Sequence, residues 1–317
     1  MKQLLQLTIM MVVGWWAIVA CSPATSNDQA ADGQNDMVPA ASLAEEFGHN
    51  HLHGLGYDAD NERLLLATHY GLFAIAGEQL YQLGPSRDDF MGFSLDVQNS
   101  EVMFASGHPL GGGNLGVLRS DDGGQSWQQI FRGVADETVD FHSMTLSPAD
   151  PQRLYGAFQG QLYVTQDGGQ TWSTTEAAGL PWQAGFCWGV PCLTADTQDA
   201  DKLYAGTAVG LYYSQDAGQT WQLLTDEPGM ISSVGILPQD NQRLIAYTER
   251  LGVATSEDGG QSWQASTNGP ALAEGDYVFA FTFHPQNDQL VFLATVGNDV
   301  YRSQDGGQTW EQLLGNS

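Results

Sequence analysis

One eight-residue box occurs five times in this chain. The copies run from Ser120 to Trp127, Thr165 to Trp172, Ser214 to Trp221, Ser256 to Trp263 and Ser303 to Trp310. Each reads Ser/Thr-x-Asp-Gly/Ala-Gly-Gln-Ser/Thr-Trp. Their aspartates, Asp122, Asp167, Asp216, Asp258 and Asp305, stand 45, 49, 42 and 47 residues apart. A repeat of that length is one supersecondary unit, which cannot bury its apolar face alone and must stack on its neighbours. The spacing therefore predicts a blade-like array. It leaves function open, because one scaffold can host many chemistries.

Alignment on the boxes exposes the full module. Its third copy runs His142 to Leu146, a Pro/Asp turn, Arg153 to Phe158, Gln161 to Thr165, the box, and Trp172 to Thr175. Alternating apolar residues between Gly, Asp and Pro turns make these four short strands, A to D. Strand C recurs at residues 71–75, 116–120, 210–214, 252–256 and 299–303. The first copy lacks the box but keeps strands A to C. The chain thus predicts an all-β, six-bladed β-propeller of four-stranded antiparallel blades, with the boxes as C–D turns. All six modules read as complete, so the closure of the ring is left open. Residues 39–48 are available as an extra strand.

The box has a structural job. Its carboxylate can accept N–H groups of the turn, its second glycine suits a positive φ, and its hydroxyl can satisfy a turn amide. Trp127, Trp172, Trp221, Trp263 and Trp310 are expected to bury between sheets. Calcium binding is disfavoured, because each box offers only one or two carboxylates. The box resembles the Asp-box, or bacterial neuraminidase repeat, of sialidases, sortilin-type receptors and photosystem II assembly-factor propellers. The resemblance covers most of residues 51–317. The His51-Leu-His-Gly-Leu, Thr68-His-Tyr-Gly-Leu and Ser106-Gly-His-Pro segments also resemble exported bacterial propellers that are often called glycosyl hydrolase-like. The resemblance implies the fold and raises glycoside hydrolysis as a possible activity.

The N-terminal region reads differently. Lys2 precedes an apolar run from Leu4 to Ala20, which predicts a signal peptide over residues 1–20. The run ends Ile18-Val-Ala-Cys21. That resembles a bacterial lipobox, which implies that Cys21 is lipidated and anchors the protein to a membrane. An ordinary signal peptide is the alternative. Ser22 in place of aspartate implies, by the same resemblance, the periplasmic side of the outer membrane if the cell is Gram-negative. Residues 21–48 are small and polar and predict a flexible tether. Residues 49–317 form the propeller.

The formal charge is −27, from 10 Lys+Arg and 37 Asp+Glu. Nucleic acid is excluded as a partner, because phosphate binding needs a basic footprint. An envelope protein or a glycan is the expected partner. With Cys21 assigned to lipid, Cys187 and Cys192 remain as a pair in an oxidising compartment. They read as a disulfide, two buried thiols, or metal ligands.

Blade topology sorts the remaining polar residues. In a propeller the B–C turns and D-to-A connections share one face, opposite the boxes. His51 and His53 start the first strand A, His69 follows the first strand B, His108 lies in the Gly107–Asn114 loop, and His142 starts the third strand A. Five of the seven histidines thus point to one face, from blades one to three. Met91 occupies the strand position equivalent to His53 and His142. Imidazoles with a thioether suit zinc or copper. A polar channel mouth with hydrogen-bonded histidines is the plainer reading, and acid/base use is a third.

The same face collects Arg87, Arg132 and Arg250 as candidate anion binders, with Asp88, Asp89, Asp140 and Asp276. Trp182, Phe186 and Trp188 follow blade three, either as a cap or as a sugar platform. A sialidase-like hydrolase would need an arginine cluster, a Tyr/Glu pair and an aspartate. Only Tyr70 and Glu249 offer themselves as the pair, and no catalytic constellation is convincing. The sequence therefore favours a binding or assembly module over an enzyme.

Overall fold

Each sheet is built from one contiguous stretch of chain. The computed structural model describes residues 51–315, apart from 78, 135–136 and 227–228. The segments expected to be a signal peptide and a tether, with Cys21 and His49, lie outside the described residues. Blade one comprises Leu52–Asp58, Arg63–Thr68, Gly71–Ala76 and Gln79–Leu83. Blade two comprises Asp89–Leu95, Met103–His108, Val117–Ser120 and Gln128–Phe131. Blade three comprises Ser143–Ser147, Asp150–Phe158, Gln161–Thr165 and Ser173–Thr175. Blade four comprises Cys192–Ala195, Leu203–Thr207, Gly210–Ser214 and Gln222–Thr225. Blade five comprises Ile231–Ile236, Leu244–Thr248, Gly252–Ser256 and Gln264–Ala265. Blade six comprises Val278–His284, Asn287–Thr295, Val300–Ser303 and Glu311–Leu314. All neighbouring strands pair antiparallel, so the protein is a six-bladed β-propeller of four-stranded blades. The first strand of every blade lines a central channel of about 790 Å³.

The boxes occupy the C–D turns, and their hydrogen bonds repeat. In blade three the Asp167 carboxylate accepts from Thr165 Oγ1 at 2.7 Å, Gln170 N at 3.0 Å, Thr171 N at 2.9 Å and Thr171 Oγ1 at 2.6 Å. Thr165 Oγ1 in turn accepts from Gly169 N at 3.1 Å. Both glycines of the box are left-handed, not the second alone, with φ of 69° and 88° at Gly123 and Gly124. In blade four Ala217 takes the first of these positions at φ 56°. The second glycine is fixed by packing as well. A Cβ on Gly124 would lie 2.6 Å from Leu72 Cδ2 of the preceding blade. The turn thus receives its neighbour's side chain.

The box tryptophans sit between blades. Trp221 is 4% exposed and packs in a core that joins Leu162 and Leu203 of blades three and four. Its Nε1 donates to Gly218 O at 3.1 Å. Trp172, Trp263 and Trp310 repeat that bond. Trp127 does not, and its buried Nε1 has no partner. Arg153 in the second strand of blade three adds a tie, its Nη1 meeting Asp201 Oδ1 of the next blade at 2.7 Å.

Among the described residues the ring closes without strand exchange. Leu52, Leu64, Leu66 and Phe73 of blade one share one core with Phe279, Phe292 and Ala294 of blade six. Tyr57 stacks on Phe292 with centroids 5.0 Å apart. Leu52 N donates to Asn298 Oδ1 at 2.9 Å across the seam.

Two outcomes follow from this packing. Trp221→Ala is expected to cost about 3–5 kcal/mol in urea unfolding, the usual range for a large core aromatic; no measurable cost would remove it from the blade interface. The Thr171 and Ser262 side chains hold the Asp167 and Asp258 carboxylates down to about 2. The unfolded chain takes up these protons near pH 4, so this contribution is full above that pH and is lost as pH falls toward about 2. An Asp167→Asn/Asp258→Asn variant should show a flatter acid limb in thermal unfolding. An unchanged limb would contradict the assignment.

Candidate functional site

Strand alternation builds the site. Leu52, Phe90 and Phe141 are 0–1% exposed and anchor the chain between blades. The residues on either side of each are the pairs His51/His53, Asp89/Met91 and Asp140/His142. His108 is the ladder partner of Asp89 on the adjacent strand. Its neighbour Gly107 is left-handed at φ 153°, and a Cβ there would strike the Asp89 carbonyl. Glycine is required for that close approach. His69 rides the B–C turn of blade one, where Thr68 Oγ1 donates to Gly71 O at 2.9 Å.

These residues form two three-membered sets. In the first, His69 Nδ1 lies 2.6 Å from Asp89 Oδ2 and 3.3 Å from His53 Nε2. His53 Nε2 stands 3.5 Å from Asp89 Oδ1. The ring of His51 packs edge-on to His69, with centroids 5.3 Å apart. Burial, then the surrounding histidines, push the His53 pKa down to about 3. Its ring is therefore neutral and carries a lone pair at physiological pH. Burial raises the Asp89 carboxyl against the opposing His69 hydrogen bond. Asp89 Oδ1 and His53 Nδ1 are buried without a hydrogen-bond partner.

In the second set one carboxylate oxygen serves two imidazoles. Asp140 Oδ2 lies 2.7 Å from His142 Nε2 and 3.2 Å from His108 Nε2. The opposite nitrogens face backbone carbonyls. His142 Nδ1 is 3.3 Å from Trp188 O, and His108 Nδ1 is 3.0 Å from Gly113 O. Each ring thus has an acceptor at both nitrogens. A neutral imidazole holds one proton, so its second nitrogen aims a lone pair at oxygen. Without a cation, the Asp140 hydrogen bond raises the His142 pKa. Asp140 is 5% exposed, and its Oδ1 has no partner.

Cys187 and Cys192 are bonded to each other and close a short loop over the mouth. Trp188 in that loop is left-handed at φ 50°. Its ring meets His53 at 4.7 Å and Phe279 at 5.2 Å, centroid to centroid. One residue thereby touches both sets, through its ring and its carbonyl.

The structure brings together His51, His53, His69, His108 and His142 of the residues singled out from sequence. Met91, 5% exposed, lines the channel wall with His53 and His142. The arginines do other work. Arg87 Nη1 donates to the Ser86 carbonyl at 3.2 Å, Arg132 Nε donates to Thr138 Oγ1 at 3.1 Å, and Arg250 lies beside Gly229. The sequence assigns Asp89 and Asp140 to this face, and the structure puts both in the site itself. Their signal was the shared register of Asp89-Phe-Met and Asp140-Phe-His with His51-Leu-His.

Fold and site together define a six-bladed propeller with histidine and aspartate clustered at one channel mouth. The model of the Sortilin-Vps10 family (sortilin, neurotensin receptor 3) matches residues 116–227 and 209–317, which together span residues 116–317. The chain belongs to that family. No curated protein matches it in sequence. The fold is similar to the GH74 xyloglucanase of Xanthomonas campestris, with a TM-score of 0.57 at 18% identity over 84% of this chain and 45% of that one. The GH74 enzyme of Niastella koreensis gives the same TM-score and coverage at 17% identity. YCF48 from Cyanidioschyzon merolae gives 0.51 at 18% identity, over 83% of this chain and 84% of its own. This chain spans less than half the length of the two GH74 enzymes.

The second set makes a titration prediction. In the metal-free Asp140→Asn variant the His142 pKa should fall, because the carboxylate that stabilises its imidazolium is gone. Imidazole NMR over pH 4–9 reads this directly. An unmoved His142 would mean that Asp140 does not control it.

Proposed function

We propose that the protein is an exported, lipid-anchored binding module that holds a transition-metal ion, zinc or copper, at its histidine-rich channel mouth. One observation carries the reading. His108 and His142 each set one nitrogen on a backbone carbonyl and the other on Asp140 Oδ2. Metal-bound histidines are oriented in this way by partners on the far nitrogen. Two imidazoles and one carboxylate suit zinc and leave a coordination position open. The buried, unpartnered carboxylate oxygens add to the case, since a cation would satisfy them.

Other features support export and anchoring. The apolar run 4–20 precedes Cys21, and the Cys187–Cys192 bond suits an oxidising compartment. A glycan or an envelope protein is the second reading. It is favoured by the aromatic pairs Trp188–Phe279 and Phe186–Tyr277 near the mouth. Sialidase-like hydrolysis gains nothing from Arg87 and Arg132, which bond to their own neighbours.

The test is equilibrium dialysis of the purified full chain against zinc and, separately, copper, with bound metal counted by mass spectrometry. At least one retained ion per chain is expected, with the content falling in His108→Ala/His142→Ala. No retained metal in the wild type would sink the reading and leave glycan or protein binding.

A further inference from the structure

We infer that the mouth is a two-cation site, with one ion on His108, Asp140 and His142 and a separate ion on His53, His69 and Asp89. This inference rests on the metal-binding reading above. The two sets share no residue, and within each the three donor atoms lie within 4.8 Å of one another. Each is complete in itself, with two imidazoles and one carboxylate. His53 Nε2 and His69 Nδ1 stand 3.3 Å apart, the separation that bonds of about 2.0 Å give around a tetrahedral ion. His53 is 6% exposed, so its Nε2 is held at the first set by the surrounding packing. Each set also has its own unpartnered carboxylate oxygen, Asp89 Oδ1 and Asp140 Oδ1. One ion shared by both sets would leave donors in each unused.

The two positions are unequal. Both imidazoles of the second set are oriented by backbone carbonyls, Trp188 O and Gly113 O. In the first set His53 Nδ1 has no such partner. The ring of Trp188 packs edge-on to His53 but supplies no hydrogen bond to that nitrogen. Loss of an orienting partner lowers metal affinity by about 10–100-fold. The second set therefore fills first, and the first set fills at a zinc concentration higher by about that factor.

The experiment titrates the full chain with zinc and counts ions at saturation. Wild type should hold two, in two resolved steps. His69→Ala should lose the weaker step and His108→Ala the tighter one, each keeping one ion, and the double variant none. Both side chains are about one third exposed, so folding should survive. Thermal unfolding in chelator checks it, and His69→Gln and His108→Gln serve as milder replacements. A single wild-type ion would overturn the two-cation inference while leaving the metal-binding reading intact. Loss of both ions in either single variant would overturn it as well. No ion in wild type would bring down both.

Discussion

The architecture depends on one carboxylate per turn. In each box an aspartate gathers the hydroxyl and amide donors of a reversal that would otherwise leave them unsatisfied. The left-handed glycines follow from that reversal, and so does the place of the tryptophan. The second glycine then admits a side chain of the preceding blade. A local hydrogen-bond motif thereby becomes a blade-to-blade contact. Since the turn is rigid and every sheet is self-contained, the opposite face is free to vary in its loops without cost to the ring.

Much of this was legible in the sequence. The box spacing carries the blade count, because the repeat is the folding unit. The face of the histidines was legible because blade topology assigns every turn to one end. Asp89 and Asp140 were harder, since aspartate is abundant here and most copies lie on solvated turns. Only their register with His51 set them apart. The Trp188 loop was not legible. Trp188 itself is left-handed although it is not glycine, and its position depends on a disulfide and on rings from blades one and six. Ring closure was equally hidden. It is made by side-chain packing, which leaves no motif.

The chemistry of the mouth is a matter of proton and cation counting. A chain of formal charge −27 has no shortage of carboxylates, so their number decides nothing. What distinguishes Asp89 and Asp140 is burial beside imidazoles, with one oxygen of each lacking a hydrogen-bond partner. His53 and His142 show the two responses of one residue type. Burial and the neighbouring histidines lower the pKa of the first, and the hydrogen bond to Asp140 raises that of the second.

The seam between blades six and one has a further consequence. Among the described residues no strand crosses it, so the order of the blades is not written into the sheets. The hydrogen bonding inside each blade would be the same if the polypeptide began at another blade and the present ends were joined. What sets blades one to three apart is the mouth, whose clustered histidines and aspartates they supply. The last three blades complete the circle on which those three are held, and Cys192 of blade four and Phe279 of blade six also hold the Trp188 loop at the mouth.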